Sequence, residues 1–401
     1  MIGSISPRDD GRRAALHLLG LALSRPPPSG AARQKILVVR PDHLGDLLFL
    51  TPALSRLRRG FPDAEIVGLV GPWGLPVLQG NQHLNRLIAW DFPWFNRRPR
   101  RSSLGPYWSL VRLARRLRAE RFDLALQFRA DFWWGALAAR LAGVTEQIGF
   151  DAPSVRPFLT RALPLRHGGH AADENLRLAE AVAGPGSGER LEFPISDAER
   201  RRALDLLGPA AAGRPLVALQ SGTGAPVKRW PIERLAQVGA RLRADHGVSI
   251  VAIGGPGERD QVRTLVQQIG PDTVGLAGVT TVGELAAVLE RCALALGPDS
   301  GPLHLAVAVG TPTIHLFGPA DPRRFGPYGD PCRHRVIRST WPCCPCDQLE
   351  FPPAELPAHD CTSRISVDEV VSVADELLGG LGVGSQGSGI GDGGSGTDGN
   401  R

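Results

Sequence analysis

Residues 215–254, PLVALQSGTGAPVKRWPIERLAQVGARLRADHGVSIVAIG, read as one complete strand–helix–strand unit. The apolar runs PLVALQ (215–220) and VSIVAIG (248–254) have the length and composition of buried strands. Between them a helix opens at Pro231, a residue suited to a first helical turn because its missing N–H would be unpaired there anyway. Alternation of buried strand and amphipathic helix argues for parallel βαβ units.

The pattern continues on both sides. Downstream come a helix from Glu258, TVGLA (273–277), a helix from Val282, ALALG (293–297), a helix from Pro302 and TIHLF (313–317). Upstream, ILVVR (36–40), EIVGLV (65–70), LIAW (87–90), DLALQ (123–127) and QIGF (147–150) alternate with helices, including a basic one near 107–120 and another at 132–142. Residues 185–214 break the rhythm with GPGSGE and a polar run, which places a domain junction there. The expected organisation is an N-terminal extension (1–34), an α/β doubly wound domain (35–195), a second one (196–365), a closing helix (366–378) and a disordered Gly/Ser tail (379–401).

Bulk properties narrow the function. With 401 residues, 42% apolar and 21% charged, the chain can bury full cores without disulfides or metals. Residues 1–196 carry 27 Lys/Arg against 17 Asp/Glu, and the rest 19 against 23, so a basic half adjoins a mildly acidic one. That asymmetry suits an anionic partner on the first lobe, or simply a solvated arginine-rich face. No nucleic-acid module is present, and no run reaches the ~18 apolar residues of a membrane span. The run AALHLLGLALS (14–24) behind Arg8, Arg12 and Arg13 fits a surface-lying or core-docked helix better than a cleaved signal. The cysteines at 343, 344, 346 and 361 are spaced poorly for zinc; reduced thiols or a local disulfide fit them better.

In doubly wound sheets ligands sit beyond the carboxyl ends of the strands. In RPDHLGD (40–46), Gly45 permits a close backbone approach. Asp46 reads either as a helix N-cap or as a carboxylate held ionised by a helix start, as a general base requires. Pro52 predicts a kink or restart of the following helix. In QSGTGAPVKRWP (220–231), Ser221, Gly222 and Thr223 offer small and hydroxyl groups, and Lys228 offers a compact charge for phosphate. Lys228 and Lys35 are the only lysines in an arginine-rich chain. GGPGERD (254–260) lacks the third glycine of a dinucleotide fingerprint; Glu258 reads as a helix-start carboxylate within reach of a ribose. GPDSGPLHLAVAVGTP (297–312) is the strongest loop, because Asp299, Ser300, Gly301 and Pro302 lead into a helix whose free N–H groups form an anion site. His304 lies on that helix's first turn, as packing or ligand. No Asp-x-Asp pair exists to clamp a metal, so no metal or cofactor is expected.

Together RPDHLGDLLFLTPAL (40–54), VKRWP (227–231), GPDSGPLHLAVAVGTPT (297–313) and LFGPADPRRFGPYG (316–329) resemble glycosyltransferase family 9, the ADP-heptose:lipopolysaccharide heptosyltransferase family. The resemblance covers about residues 35–378 and implies a GT-B fold, with an acceptor lobe and a nucleotide-sugar lobe facing across a cleft. It implies Asp46 as general base, with Asp42 a second candidate, in an inverting transfer from a nucleotide-diphosphate sugar. Lys228, Ser300 and Gly301 would stabilise the departing diphosphate, and Asp299 would hold donor hydroxyls or orient the loop. It further implies an anionic glycolipid or polysaccharide acceptor and a cytoplasmic protein, peripheral on the inner membrane. Gln220-Ser221-Gly222 stands where many members have His-Pro-Gly, which leaves the donor open. A silent nucleotide-sugar binder, or a sugar-nucleotide epimerase or hydrolase, are the alternatives on the same fold.

Overall fold

The structure is a computed structural model that describes residues 34–95, 105–166 and 168–380. The expected helix at 14–24 lies outside those residues, as does the tail beyond Gly380. The first sheet holds β1 (Lys35–Val39), β2 (Glu65–Val70), β3 (Arg86–Ala89), β4 (Leu124–Gln127), β5 (Glu146–Phe150) and β6 (Arg161–Leu163) in the order β3-β2-β1-β4-β5-β6. The second holds β7 (Leu216–Gln220), β8 (Ser249–Ile253), β9 (Val274–Gly275), β10 (Cys292–Pro298), β11 (Thr313–Phe317) and β12 (His334–Arg338) in the order β12-β11-β10-β7-β8-β9. Every strand pair is parallel. Each sheet therefore reverses its winding once, between β1 and β4 and between β7 and β10. A doubly wound sheet opens its ligand crevice at that point.

The central strands are apolar because helices cover both faces. β7 and β8 are buried at every position, so LVALQ and SIVAI show no polar-apolar alternation. Edge strands differ. β12 mixes buried with exposed residues, and β6 is only three residues long.

Pro52 acts as its ring dictates. The chain breaks into helices Leu44–Leu48 and Thr51–Gly60, with Pro52 in the second helix's first turn, where no N–H is missed. The stretch 185–214 is not merely a linker, since Asp197–Leu207 is a helix. It opens on a capping box in which Ser196 Oγ accepts from Glu199 N (3.3 Å) and Glu199 Oε2 accepts from Ser196 N (2.7 Å). The closing helix runs Val367–Gly380 and takes in the first two residues of the expected tail.

One apolar core is shared by both sheets. It joins Ile36, Leu47 and Leu54 of the first half to Leu216, Leu289 and Leu303 of the second. One further core lies on the other face of each sheet. The helix Leu44–Leu48 packs against Gly301–Ala308, so the two halves meet beside their strand ends.

Candidate active site

A cleft of about 720 Å³ lies where the two reversal points face each other. It is lined from the first half by His43–Asp46, Phe49 and Arg129, and from the second by Gly224–Pro226, Lys228, Asp299–Pro302 and His304. Those segments follow β1, β4, β7 and β10, the four strands flanking the reversals. Residues 46, 228 and 300, expected at one ligand, thus share one cavity.

On the first side, His43 takes the N-cap position and Asp46 lies in the helix's first turn, so the N-cap reading of Asp46 does not hold. Asp46 opens on the cleft with 37% of its side chain exposed, and Arg40 Nη2 stands 3.4 Å from its Oδ1. Desolvation among the surrounding protein atoms, helped by the charge of Asp42, raises its pKa; Arg40, Arg129 and His304 oppose that. A raised carboxylate is a stronger base than an ordinary aspartate. Asp42 is different. It is 2% exposed, and Arg40 Nε (2.7 Å) and Arg129 Nη1 each hold one of its oxygens. Arg129 donates to Asp42 Oδ1 and the Arg40 guanidinium forms an ion pair with Asp42 Oδ2, so Asp42 is held in the wall, and of the two first-loop carboxylates it is Asp46 that faces the cleft.

On the second side, Gly297 sits at φ 153°, and a Cβ there would lie 2.3 Å from the Gln220 carbonyl oxygen. Only glycine lets β10 pass so close to β7 and deliver Asp299 beside Lys228. Lys228 Nζ donates to Asp299 Oδ2 at 2.8 Å, and His304 Nε2 donates to Asp299 Oδ1 at 3.3 Å. Burial opposes ionisation of Asp299, but the His304 hydrogen bond and the Lys228 charge outweigh it and hold the carboxyl well below the usual range. Behind it His315 is wholly buried and its pKa is pushed well down by burial, so it is neutral. Ligand atoms of Asp299, His304 and His315 lie within 4.8 Å of one another.

Ser300 is the N-cap of the Gly301–Ala308 helix, yet its side chain caps nothing. Its Oγ is buried with no hydrogen-bond partner in the protein. A buried hydroxyl with no protein partner, beside the open N–H groups of a helix start, is a donor set of the kind that suits an anion. Pro302 fills the first turn, and Gly301 faces Gly45 across the seam. A Cβ on Gly301 would come 3.0 Å from Leu44, and one on Gly45 3.3 Å from the His304 ring.

Four expected residues stand apart from the lining. Ser221 Oγ turns into the sheet toward the Ile253 carbonyl (3.3 Å), and Thr223 Oγ1 accepts from Ala225 N (3.4 Å). Glu258 Oε2 accepts from Gly255 N (2.6 Å), and its carboxylate packs against Gly222. The lining from that loop is instead Gly224, Ala225 and Pro226. Arg129 joins the lining without any motif around it; its one signal in the sequence is a cation directly beyond β4. Leu349, Glu350 and Phe351, from the cysteine-bearing segment, also line the cleft. All six cysteines are free thiols, and Cys344 and Cys361 share a hydrogen bond.

Two doubly wound parallel-sheet halves facing across a cleft, with Asp46 on one wall and Lys228 and Ser300 on the other, match the GT-B architecture of glycosyltransferases. The sequence profile of glycosyltransferase family 9 (heptosyltransferase) matches residues 110–351, and the chain belongs to that family. Among its relatives, lipopolysaccharide heptosyltransferase 3 of Escherichia coli is 29% identical over 286 residues, covering 69% of this chain and 81% of that protein. Lipopolysaccharide heptosyltransferase 1 of Pseudomonas aeruginosa is 25% identical over 320 residues, 78% of this chain and 86% of that one. A glycosyltransferase family 9 crystal structure from Veillonella parvula aligns with TM-score 0.72 at 25% identity, covering 87% of this chain and 98% of that one. Among the described residues no helix is long and apolar enough to cross a membrane.

Proposed function

We propose that this glycosyltransferase moves heptose from a nucleotide-diphosphate sugar, ADP-heptose, onto a lipopolysaccharide-core or other cell-envelope glycolipid at the cytoplasmic face of the inner membrane, with inversion and without a metal. The observation that carries the reading is the shared cleft, with Asp46 on one wall and Lys228 and Ser300 on the other. The names of the relatives supply the sugar and acceptor class.

In this reading the acceptor hydroxyl attacks the anomeric carbon while Asp46 takes its proton. The bond from that carbon to the diphosphate oxygen breaks on the opposite face. Lys228, the free Ser300 hydroxyl and the N–H groups at Gly301 receive the developing charge. Fixed donors of this kind, aimed where charge appears, need no reorganisation at the moment of reaction. Lys228 pairs with Asp299 across 2.8 Å, and the arriving diphosphate competes for the same ammonium. One cation and a helix start do the work a divalent ion does elsewhere. Arg40 and Arg129 keep Asp42 engaged and leave Asp46 the base.

The test is a panel of ADP-, GDP- and UDP-sugars scored for diphosphate release with and without lipid acceptor, in EDTA. Release from ADP-heptose only with acceptor present, undiminished by EDTA, is the expected result. Asp46→Asn should bind ADP normally and lose transfer by about 10²–10⁴-fold. Release without acceptor would instead make the protein a hydrolase or epimerase, and undiminished transfer by Asp46→Asn would remove the base.

A further inference from the structure

The most exposed aromatic side chains of the first half gather on one side of it. Trp108 is 69% exposed, Tyr107 57% and Trp94 47%, with Val111 beside them at 36%. Tyr107, Trp108 and Val111 lie on the outer face of the helix Gly105–Glu120, whose inner face buries Leu110, Leu113 and Leu117. Helical spacing carries the same outer face on to Arg112, Arg115 and Arg116, all exposed and without an acidic partner among the described residues. Four more arginines, at 97, 98, 100 and 101, stand just before this helix in the sequence.

The patch is held in place. Trp134 Nε1 donates to the Pro106 carbonyl (3.1 Å), and Trp90 Nε1 donates to Ser109 Oγ (3.0 Å), which pins the start of the helix. Trp94 has φ 73°, a left-handed conformation costly for a bulky residue, and its ring lies 6.0 Å from that of Trp133. Next to it the Phe95 ring carries the Arg129 guanidinium at 5.1 Å, and Arg129 lines the cleft and holds Asp42. Arg129 and Phe95 thus tie the cleft wall to the segment that carries Trp94.

We infer that the Trp94–Tyr107–Trp108–Val111 face, with Arg112, Arg115 and Arg116, is the surface on which the enzyme sits on an anionic lipid bilayer. The purpose rests on the lipid-linked acceptor proposed above; the surface itself is read from exposure and charge. Tryptophan and tyrosine rings settle at the headgroup level, where one end is apolar and the other wet. Arginines beside them meet the negative potential of an anionic leaflet, which adds attraction for each one within a Debye length. A second copy of this chain fits the face poorly, since two-fold pairing would set these arginines against one another.

The experiment is co-sedimentation of the full chain with vesicles of phosphatidylethanolamine and phosphatidylglycerol, against vesicles of phosphatidylcholine alone. Wild type should pellet with the anionic vesicles, and 0.5 M NaCl should release most of it. The triple change Trp94→Ser, Tyr107→Ser, Trp108→Ser should cut the partition about tenfold, and Arg112→Gln, Arg115→Gln, Arg116→Gln should do so with loss of the salt dependence. Both variants alter exposed side chains, and unchanged melting temperatures confirm their folding. With a delipidated acceptor they should match wild type, and with a vesicle-embedded acceptor they should fall behind it. Equal partition of wild type and both variants overturns the surface even if transfer itself is found. Failure of transfer with every acceptor, alongside the expected partition, overturns the proposed function and leaves the surface standing.

Discussion

Lys228 Nζ and Asp299 Oδ2 stand 2.8 Å apart on the donor wall, in a cleft where both side chains are largely withdrawn from solvent. A charge-assisted contact of this kind contributes roughly 1.5–3 kcal/mol. Lys228→Ala should therefore weaken ADP binding about ten- to hundredfold by calorimetry. Unchanged affinity would mean that the ammonium serves Asp299 alone and never meets phosphate.

The same pair governs acid stability. Asp299 has a depressed pKa in the folded state, so its stabilising contribution is complete above the ordinary aspartate value of about 3.9 and fades as pH falls toward the folded value. Asp299→Asn should cost about 3 kcal/mol at pH 7, where it strands Lys228. That gap should narrow as urea titrations are repeated from pH 5 down to pH 3. A gap constant with pH would show that Asp299 is not ionised in the fold.

For Asp46 the sign is reversed. Its pKa is raised by desolvation and by Asp42, and a base acts only when deprotonated. Transfer should fall on the acid side through a single ionisation that lies above the free aspartate value of about 3.9. The residual rate of Asp46→Asn should be flat over that range. An acid limb that survives the substitution belongs to some other group.

Thiol reactivity should divide the cysteines by place. Burial pushes Cys292 up to about 12, and burial with the Cys361 hydrogen bond pushes Cys344 up to about 12. Burial raises Cys361 as well. Iodoacetamide at pH 8 should label exposed Cys332, Cys343 and Cys346 first, with the other three labelled only on unfolding. Peptide mapping that finds Cys344 among the early products would refute the packed arrangement of that segment.

Much of this molecule could be read from its sequence because buried parallel strands leave unbroken apolar runs. LVALQ and TIHLF declare themselves, whereas HRVIR at the edge reads as polar and gives no strand signal for β12. The helix Asp197–Leu207 is hidden by surroundings of linker composition, and its signal is the capping-box spacing of Ser196 and Glu199. In the cleft, Asp299 and Ser300 were legible, since glycine, cap and proline define a strand-to-helix anion loop within a few residues. Arg129 was not: 83 residues separate it from Asp46 in the numbering, and only the pairing of β1 with β4 joins their loops. Ser221 and Thr223 misled for the opposite reason. Hydroxyls in a loop say nothing of which way they turn, and here they serve the backbone.

The apolar interior that runs without interruption from Ile36 and Leu54 to Leu289 and Leu303 sets how the enzyme comes apart. Severing the chain near residue 196 would leave each fragment with a greasy flank and no independent existence. Heat or urea should melt both halves in one cooperative step, and a chimaera that borrows a foreign donor half must import the matching seam along with it.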